Sequence, residues 1–437
     1  MQSMRRVALV ASLTMLAPSL AWADGARVLT LAEVERAAHD QPEILVSRAA
    51  TNTAQGQADQ ARAALLPQIT ATAQYTRETG NFAPNPIQRS VATGSGTSVT
   101  ASFDYWQFAV GASQLVYDFG QASHRYEAAA KAVSAENFAE RTTQLQVTLG
   151  VRRAYFTARA MKELVGVADE TLRDQNKHLA QVQGFVQVGT QPPIALAQQR
   201  ASVASAQVQL ISAQNNYETA KAQLNQAAGM GQDTGYDVAD ETFPPIGDED
   251  QPLEVLAAGA LAARPEMATL DEERKAQEAT LRAAQGGYGP TLTAAAGASE
   301  VGIAIGDLVP NWYGGVILSV PIFQGGLTTA QVHTAQAGLE SVSAQRSVEE
   351  LQVRLDVDSA RLAVRAAKAT VPAAADAVAS AHEQLRLAEQ RYTTGVGSII
   401  ELNDAEVAYT SAAAQAVQAR YALASARAQL LAALGRS

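Results

Sequence analysis

The amino-acid sequence predicts a mainly helical fold with a small transmembrane β part, built from one unit written twice. Three observations predict it. Gly120, Gly189 and Gly229 recur as Gly326, Gly395 and Gly435 at one constant displacement (395 − 189 = 206), and Leu145/Leu351, Leu149/Leu355 and Leu224/Leu430 keep it. An offset held from Gly120 to Gly229 marks an internal duplication. The first two glycines of each copy bracket equal intervals (189 − 120 = 69 and 395 − 326 = 69), rich in Ala, Gln, Glu, Arg, Leu and Val, with Pro372 the one proline inside either. A helix of that length is roughly 100 Å long, whereas globular domains use helices of about 11–12 residues. Finally, only one interval in each copy alternates like a β-hairpin.

In chain order, residues 1–23 read as a secretory signal, with Arg5-Arg6, an apolar run from Val7 to Leu20 and the small-x-small site Ala21-Trp22-Ala23. The run is too short to span a bilayer. The absence of cysteine excludes a lipidated N-terminal cysteine and disulfides alike. Loss of Arg5 and Arg6 moves the formal charge from −10 to −12, which argues against nucleic acid as partner.

The first repeat occupies residues 24–230. Leu31 to Leu66 is helical, interrupted at Pro42, and recurs around Arg264-Pro265-Glu266; Leu65-Leu66-Pro67 recurs as Tyr288-Gly289-Pro290. These pairs share an offset of 223 (265 − 42 = 223), so copy two is 17 residues shorter (223 − 206 = 17) somewhere between its Pro290 and Gly326. Strands are expected at 68–78 and 99–116, around a loop from Gly80 to Ser98 that includes Gly94-Ser95-Gly96. In the first, Ile69, Ala71, Ala73 and Tyr75 alternate with Gln and Thr, the pattern of a strand with one apolar face. A long helix 120–188, a glycine turn and a return helix 193–229 opened by Pro192-Pro193 complete the copy.

Residues 231–254 carry eight acidic side chains, no Lys or Arg, and Pro244, Pro245 and Pro252, and read as an irregular acidic linker or belt. The second repeat, 255–437, repeats the plan with strands at 291–300 and 312–322, a long helix 326–394 and a return helix 398–434. No further domain is expected after it. Tyr75, Phe103, Tyr105, Trp106, Phe108, Trp312 and Tyr313 fall in these hairpins and are the candidates for an aromatic membrane girdle. Two hairpins cannot close a barrel, so strand edges buried in lipid would require several chains.

Helix, hairpin, very long helix, turn and return helix, twice over from Leu31 to Gly435, resemble the TolC family of outer-membrane efflux and secretion channels. The most specific pieces are Arg391-Tyr392-Thr393-Thr394-Gly395, Ile400-Glu401-Leu402-Asn403-Asp404-Ala405-Glu406 and Pro321-Ile322-Phe323-Gln324-Gly325-Gly326. The resemblance implies a homotrimer with a 12-stranded β-barrel in the outer membrane, continuous with a 12-helix α-barrel across the periplasm. It implies a periplasmic adaptor and an inner-membrane pump or ABC-type transporter as partners, outer-membrane lipid around the barrel, and no cofactor. Alanine runs such as Ala128-Ala129-Ala130 suit close helix packing, and Leu351, Leu355 and Leu362 form one stripe.

On this resemblance Gly189 and Gly395 mark the periplasmic tips, with Thr190, Tyr392 and Gly397 beside them as adaptor contacts. Glu401 and Asp404 take the places of the acidic pair that rings the closed entrance. Three residues apart, they share a helix face, and a threefold axis would gather six carboxylates that favour cations; the plain alternative is a solvated helix N-terminus, where acids are favoured anyway. Two departures stand out. The family's tip lock joins a Tyr, an Arg and an Asp, and here Tyr392 keeps its place while Gly397 and Ala195 replace the other two. Either other contacts hold the tip or the resting state leaks.

Nothing points to an enzyme. His39, His124, His178, His333 and His382 are scattered, with no zinc-protease pattern, phosphate loop or nucleophile elbow. Two classes remain: a passive exit duct for drugs, small molecules or proteins, and a non-conducting periplasmic coiled-coil scaffold or adaptor. Transmembrane-style alternation in both hairpins favours the duct, and the missing lipidation cysteine leans toward the secretion-type branch.

Overall fold

A computed structural model of the chain describes residues 27–79, 102–231 and 234–436. The expected signal segment and the loop with Gly94-Ser95-Gly96 lie outside the described residues.

The chain begins with β1 (Arg27–Leu29), α1 (Leu31–Ala37) and a 3₁₀ turn (Ala38–Asp40). Thr30 and Glu33 start α1 with a reciprocal capping box. The first copy then runs α2 (Pro42–Ala63), β2 (Gln68–Thr79), β3 (Ser102–Tyr117), α3 (Gln121–Gln187) and α4 (Pro193–Ala228). After β4 (Tyr236–Val238) and α5 (Leu253–Ala263), the second copy runs α6 (Pro265–Gly286), β5 (Thr291–Gly302), β6 (Val309–Ser319), α7 (Leu327–Thr393) and α8 (Ile399–Ala433). Proline at N1 opens α2, α4 and α6, where its missing N–H is no loss.

The two long helices are the same object. Both α3 and α7 have 67 residues, and both follow a left-handed glycine, Gly120 or Gly326, each at φ 85°. Both end in a Schellman turn: Thr190 N–H donates to Phe185 C=O across Gly189, and Val396 N–H to Arg391 C=O across Gly395. The return helices end in the same way at Gly229 and Gly435. There the backbone is also tightly packed. A Cβ on Gly229 would press on Gln41 and Pro42, and one on Gly435 on Ala263 and Arg264. Thus α4 abuts the start of α2 and α8 the start of α6, giving two stacked columns beside α3 and α7.

The four long strands form one antiparallel sheet in the order β2-β3-β5-β6. Gln68 faces Ser113 in copy one, and Thr291 faces Ser319 in copy two, the same pairing carried by the offsets 223 and 206. The 17 extra residues of copy one therefore lie between Thr79 and Ser102. Strand β6 spans 309–319 where 312–322 was expected, because Pro321 has no N–H to give the ladder. Among the described residues no helix is long and apolar enough to cross a membrane.

The acidic segment is mostly irregular, with one short strand. Its Tyr236–Val238 pairs in parallel with β1 and packs on α3, in a core with Tyr155, Phe156 and Phe243. Its carboxylates are tied down: Asp237 by Lys162, Asp240 by Arg159, Asp248 by Arg436, and Asp250 by Lys368. Glu249 is buried and accepts from Arg427 at 2.9 and 3.0 Å, from Lys368 at 3.0 Å and from the Ile246 N–H at 3.1 Å. Burial pushes its pKa up, but the Arg427 guanidinium and these other donors overcome it and hold the pKa at about 2. A depressed carboxylate contributes stability that is present above its unfolded pKa of about 4.3 and lost as pH falls through the folded value. Glu249→Gln should therefore lower Tm at neutral pH, and its gap to the wild type should close between about pH 4 and pH 2. A gap that stays constant down to pH 2 would show that folding does not depress the Glu249 pKa.

Candidate functional site

Two regions carry the residues singled out in the sequence: the sheet and the helical tips. In the sheet, strand alternation sorts the aromatic set. Tyr75 faces Trp106, and the two rings stand 4.6 Å apart. Register places these two with Ile69, Ala71, Ala73, Phe108, Val110 and Trp312 on one apolar face. Tyr105 and Tyr313 fall on the other face, with Gln68, Thr70, Thr72 and Gln74. Tyr105 is buried there, and Tyr313 lies against Gly297, where a Cβ would collide with its ring. The physical reason is the two-residue period: neighbours such as Tyr105 and Trp106 must point to opposite sides. Phe103 takes its register place opposite Glu78, with its side chain outside the described residues.

At the tips, the turns at Gly189 and Gly395 bring the two helical hairpins together around an apolar plug. Val182 of α3, Ala195 of α4, Leu385, Ala388 and Tyr392 of α7, and Ile399, Leu402 and Ala405 of α8 form one buried cluster. The Tyr392 ring meets Phe185 edge-on at 5.9 Å, its hydroxyl has no hydrogen-bond partner, and burial raises its pKa. No polar lock is built on Tyr392. Ala195 is part of the plug, and Gly397 sits where a Cβ would press on the Arg391–Tyr392 backbone at 2.9–3.0 Å, leaving no room for an arginine. Thr190 closes its turn by donating its hydroxyl to Phe185 C=O.

The two acidic candidates are not equivalent. Ser398 caps α8 by accepting from the Glu401 N–H, and the Glu401 carboxylate pairs with Arg391 at 3.1 Å. Arg391 belongs to the tip motif of the sequence, but its pairing is not legible there, because it depends on the turn folding α8 back over α7. Asp404 is exposed and, among the described residues, makes no ion pair. Of the two, Asp404 alone keeps an uncompensated charge.

Three polar ties join α3 to α8 above the plug. Glu163 accepts from Tyr421 and Arg420 at 2.5 and 2.7 Å, and Thr171 and Thr410 share a hydrogen bond of 3.0 Å. Closest to the tip, buried His178 lies 3.9 Å from the carboxylate of buried Glu406 and 3.7 Å from Glu389. These are ion-pair distances beyond hydrogen-bond reach, and neither the ring nitrogens nor the Glu406 oxygens have a hydrogen-bond partner. Burial works against the imidazolium, but Glu406 and Glu389 outweigh it and the His178 pKa is raised. Sequence spacing gave no sign of this pair, since its members are 228 residues apart (406 − 178 = 228). Among the described residues no cluster suits a metal ion.

Two outcomes follow from the tip. Removing an unpartnered buried hydroxyl should be neutral or stabilising by about 1 kcal/mol, whereas emptying the plug costs about 3–5 kcal/mol. Tyr392→Phe should thus keep the amide-exchange protection of the tips and Tyr392→Ala should lose it; loss in both would reveal a polar lock. A raised histidine pKa contributes stability that is present below about 6.5 and lost as pH rises through the folded value. Protection around residues 178 and 406, corrected for intrinsic exchange, should fall as pH rises above about 6.5, and His178→Gln should flatten the profile. An equally steep profile in the variant would assign the effect elsewhere.

Comparison with known proteins agrees with this architecture. The sequence profile of the outer membrane efflux protein family matches residues 34–230 and 256–436. The probable efflux pump outer membrane protein TtgC of Pseudomonas putida is 25% identical over 354 residues, 79% of this chain and 70% of that protein. The outer membrane protein TolC of Escherichia coli is 24% identical over 402 residues, 89% of this chain and 78% of its own. In fold, the chain superposes on CusC with a TM-score of 0.81 at 19% identity, covering 98% of this chain and 99% of that one. The Campylobacter jejuni CmeC outer membrane channel gives 0.80 at 18% identity, covering 93% and 85%. With both repeats matched across most of their length, this chain belongs to the outer membrane efflux protein family, the channels through which efflux leaves the outer membrane.

Proposed function

We propose that the chain works as a homotrimeric exit duct crossing outer membrane and periplasm. The observation that carries this reading is the sheet: four long strands, apolar on one face, with both edges, β2 and β6, unpaired in the single chain. In lipid such edges have no water to satisfy them, so only closure with further strands is stable. Four strands from each of three chains make a 12-stranded barrel. The four helical columns of each chain, α3, α7 and the stacks α2/α4 and α6/α8, make the 12-column tube beneath it. Tyr75, Phe108, Trp106 and Trp312 then face lipid, while Tyr105 and Tyr313 face the lumen.

The tips, with Gly189, Thr190, Tyr392, Gly395 and Gly397, would dock a periplasmic adaptor that couples the duct to an inner-membrane pump or ABC-type transporter. Cargo choice belongs upstream. Relatives are named for antibiotic, toluene and pyoverdine export, a range that a solvated duct passes without selecting.

The carboxylates at the tip would set ion selectivity, and their unequal pairing gives a graded expectation. In planar bilayers the protein should form cation-preferring pores that a multivalent cation blocks from the tip side. Asp404→Ala should relieve most of the block and Glu401→Ala less, because Arg391 already compensates Glu401. Equal effects would show that the Arg391 pair opens in the assembled pore. Pores indifferent to both changes would move the gate elsewhere, and protein that stays soluble without detergent and never conducts would overturn the duct in favour of a scaffold.

A further inference from the structure

Just above the apolar plug, helices from both repeats enclose a cavity of about 350 Å³. Its polar wall comes from Thr171 and Gln175 of α3, Ser202 and Ser205 of α4, and Asn403 and Glu406 of α8, and Ala206 and Ala414 are apolar patches in it. Part of this wall is satisfied: Thr171 bonds Thr410, and Gln175 accepts from Gln199 at 2.7 Å. One turn of α8 is not. Glu406 is 2% exposed, and neither its oxygens nor the Asn403 Oδ1 has a hydrogen-bond partner. A buried carboxylate left in that state is costly.

The fold itself does not call for an acid here. The repeat offset sets Arg200 of α4 at the place equivalent to Glu406 (406 − 206 = 200), and Arg200 is exposed. Nor is the charge well compensated within the chain. His178 lies 3.9 Å from Glu406 but does not line the cavity, so the carboxylate stands between the two. His178 offsets the charge only as an imidazolium. The other charged groups of the neighbourhood are Glu389 of α7, 3.7 Å from His178, and Glu170 and Asp174 of α3, whose charges act with Glu406 on Tyr409. Lys177 is engaged by Asp174, and no Lys or Arg lines the cavity among the described residues. With His178 neutral, the cavity therefore presents an uncompensated negative charge and unmet acceptors.

We infer that this cavity binds a small organic ammonium ion, with its –NH₃⁺ on Glu406 and the Asn403 Oδ1 and its carbon chain along Ala206 and Ala414. The chemistry selects the class. An alkylammonium group has three donors and no acceptor, which suits a wall whose unmet groups are all acceptors. One buried carboxylate matches one positive charge. Calcium takes about six to eight oxygen ligands, and no cluster among the described residues suits a metal ion. The volume is that of a small-molecule site, which starts at about 300 Å³, and is far more than a bare ion fills. The Glu406 carboxylate can turn toward the cavity without giving up a hydrogen bond, because it has none. Since α4 belongs to one helical hairpin and α8 to the other, the bound ion ties the two together above the plug. The site is built from the chain's own helices and does not depend on the duct reading.

The probe is n-butylamine, titrated by calorimetry into the detergent-purified full chain at about pH 8, with 1-butanol alongside. The amine should bind saturably and about tenfold or more tightly than the alcohol; equal binding of the alcohol would overturn the ammonium site. Glu406→Gln should weaken the amine about tenfold or more, as loss of a charge-assisted contact predicts, while Glu389→Gln should leave it unchanged. The reverse order would mean adventitious binding to surface carboxylates only. Lowering the pH from about 8 to about 5.5 should weaken the amine several-fold, because protonated His178 then compensates Glu406 in its place. The amine itself stays protonated throughout, and His178→Gln should abolish the dependence. The alcohol comparison and the pH profile need no variant, so they decide the matter even where a substitution unfolds the chain. Affinity indifferent to both pH and Glu406 would overturn the inference, and calcium that displaces the amine would assign the cavity to a metal ion instead.

Discussion

The constraint on which the rest depends is the hydrogen-bonding requirement of two strand edges. In water an open edge is solvated; in hydrocarbon every unpaired N–H and C=O is costly. A sheet with one apolar face and two open edges, β2 and β6, is therefore, in the proposed duct, a fragment of a closed object. Because each strand leads directly into or out of a helix, the ring order of the strands passes to the helices. The packing sequence α2, α3, α6, α7 repeats the order β2, β3, β5, β6. In the proposed trimer, barrel and tube are one ring described at two heights.

Where strand gives way to helix, the chain must turn sharply, and it does so with two successive left-handed residues in each copy: Phe119-Gly120 and Gly325-Gly326. A phenylalanine in that region is strained by about 1 kcal/mol or more, and the strain is retained because the ring fills the space over Gly289. The far end follows a different logic. At the tips the two hairpins meet through an apolar plug and, above it, a buried His178–Glu406 pair whose remaining hydrogen-bonding capacity is unmet. Fully satisfied polar contacts would fix the tips rigidly; a plug with an under-satisfied ion pair is closed but cheaply rearranged. In the proposed duct that suits an end that opens and shuts, while the paired carboxylates from Asp237 to Asp250 hold the middle in place.

The large features were legible in the sequence because they are periodic. Glycines at fixed spacing became left-handed caps, an unbroken run became a 67-residue helix, and alternation at Gln68–Thr76 became a strand. What could not be read depends on contacts between distant segments. The acidic segment looked irregular by composition, yet Tyr236–Val238 gains strand geometry from a partner more than two hundred residues earlier. Glu401 looked like a free carboxylate because sequence does not show that Arg391 folds back on it. The absence of the expected lock at Gly397 and Ala195 was visible, but not its replacement by a hydrophobic plug. The aromatic residues were grouped by proximity in sequence, although the strand period already separates Tyr105 from Trp106.

Charge pairs are exchanged between the repeats, Arg48–Glu140 in copy one against Asp271–Arg346 at the equivalent positions of copy two, and this bears on how a ring of the proposed kind is built from unequal halves. A duplicated unit that closes on itself has two kinds of contact: one inside the chain, one between chains. If the copies were identical the two contacts would be interchangeable, and a chain could pair in either frame. Exchanging sign and bulk keeps every position occupied while making the frames distinct. With Glu127 on α3 and Arg282 on α6, the equivalent swap would set Glu127 against Asp59, and Phe119 against Leu66 in place of Gly289. Like charges and colliding side chains disfavour the wrong partner without weakening the right one. In the proposed trimer the divergence between the repeats would let one chain supply two complementary faces and fix the order in which they meet.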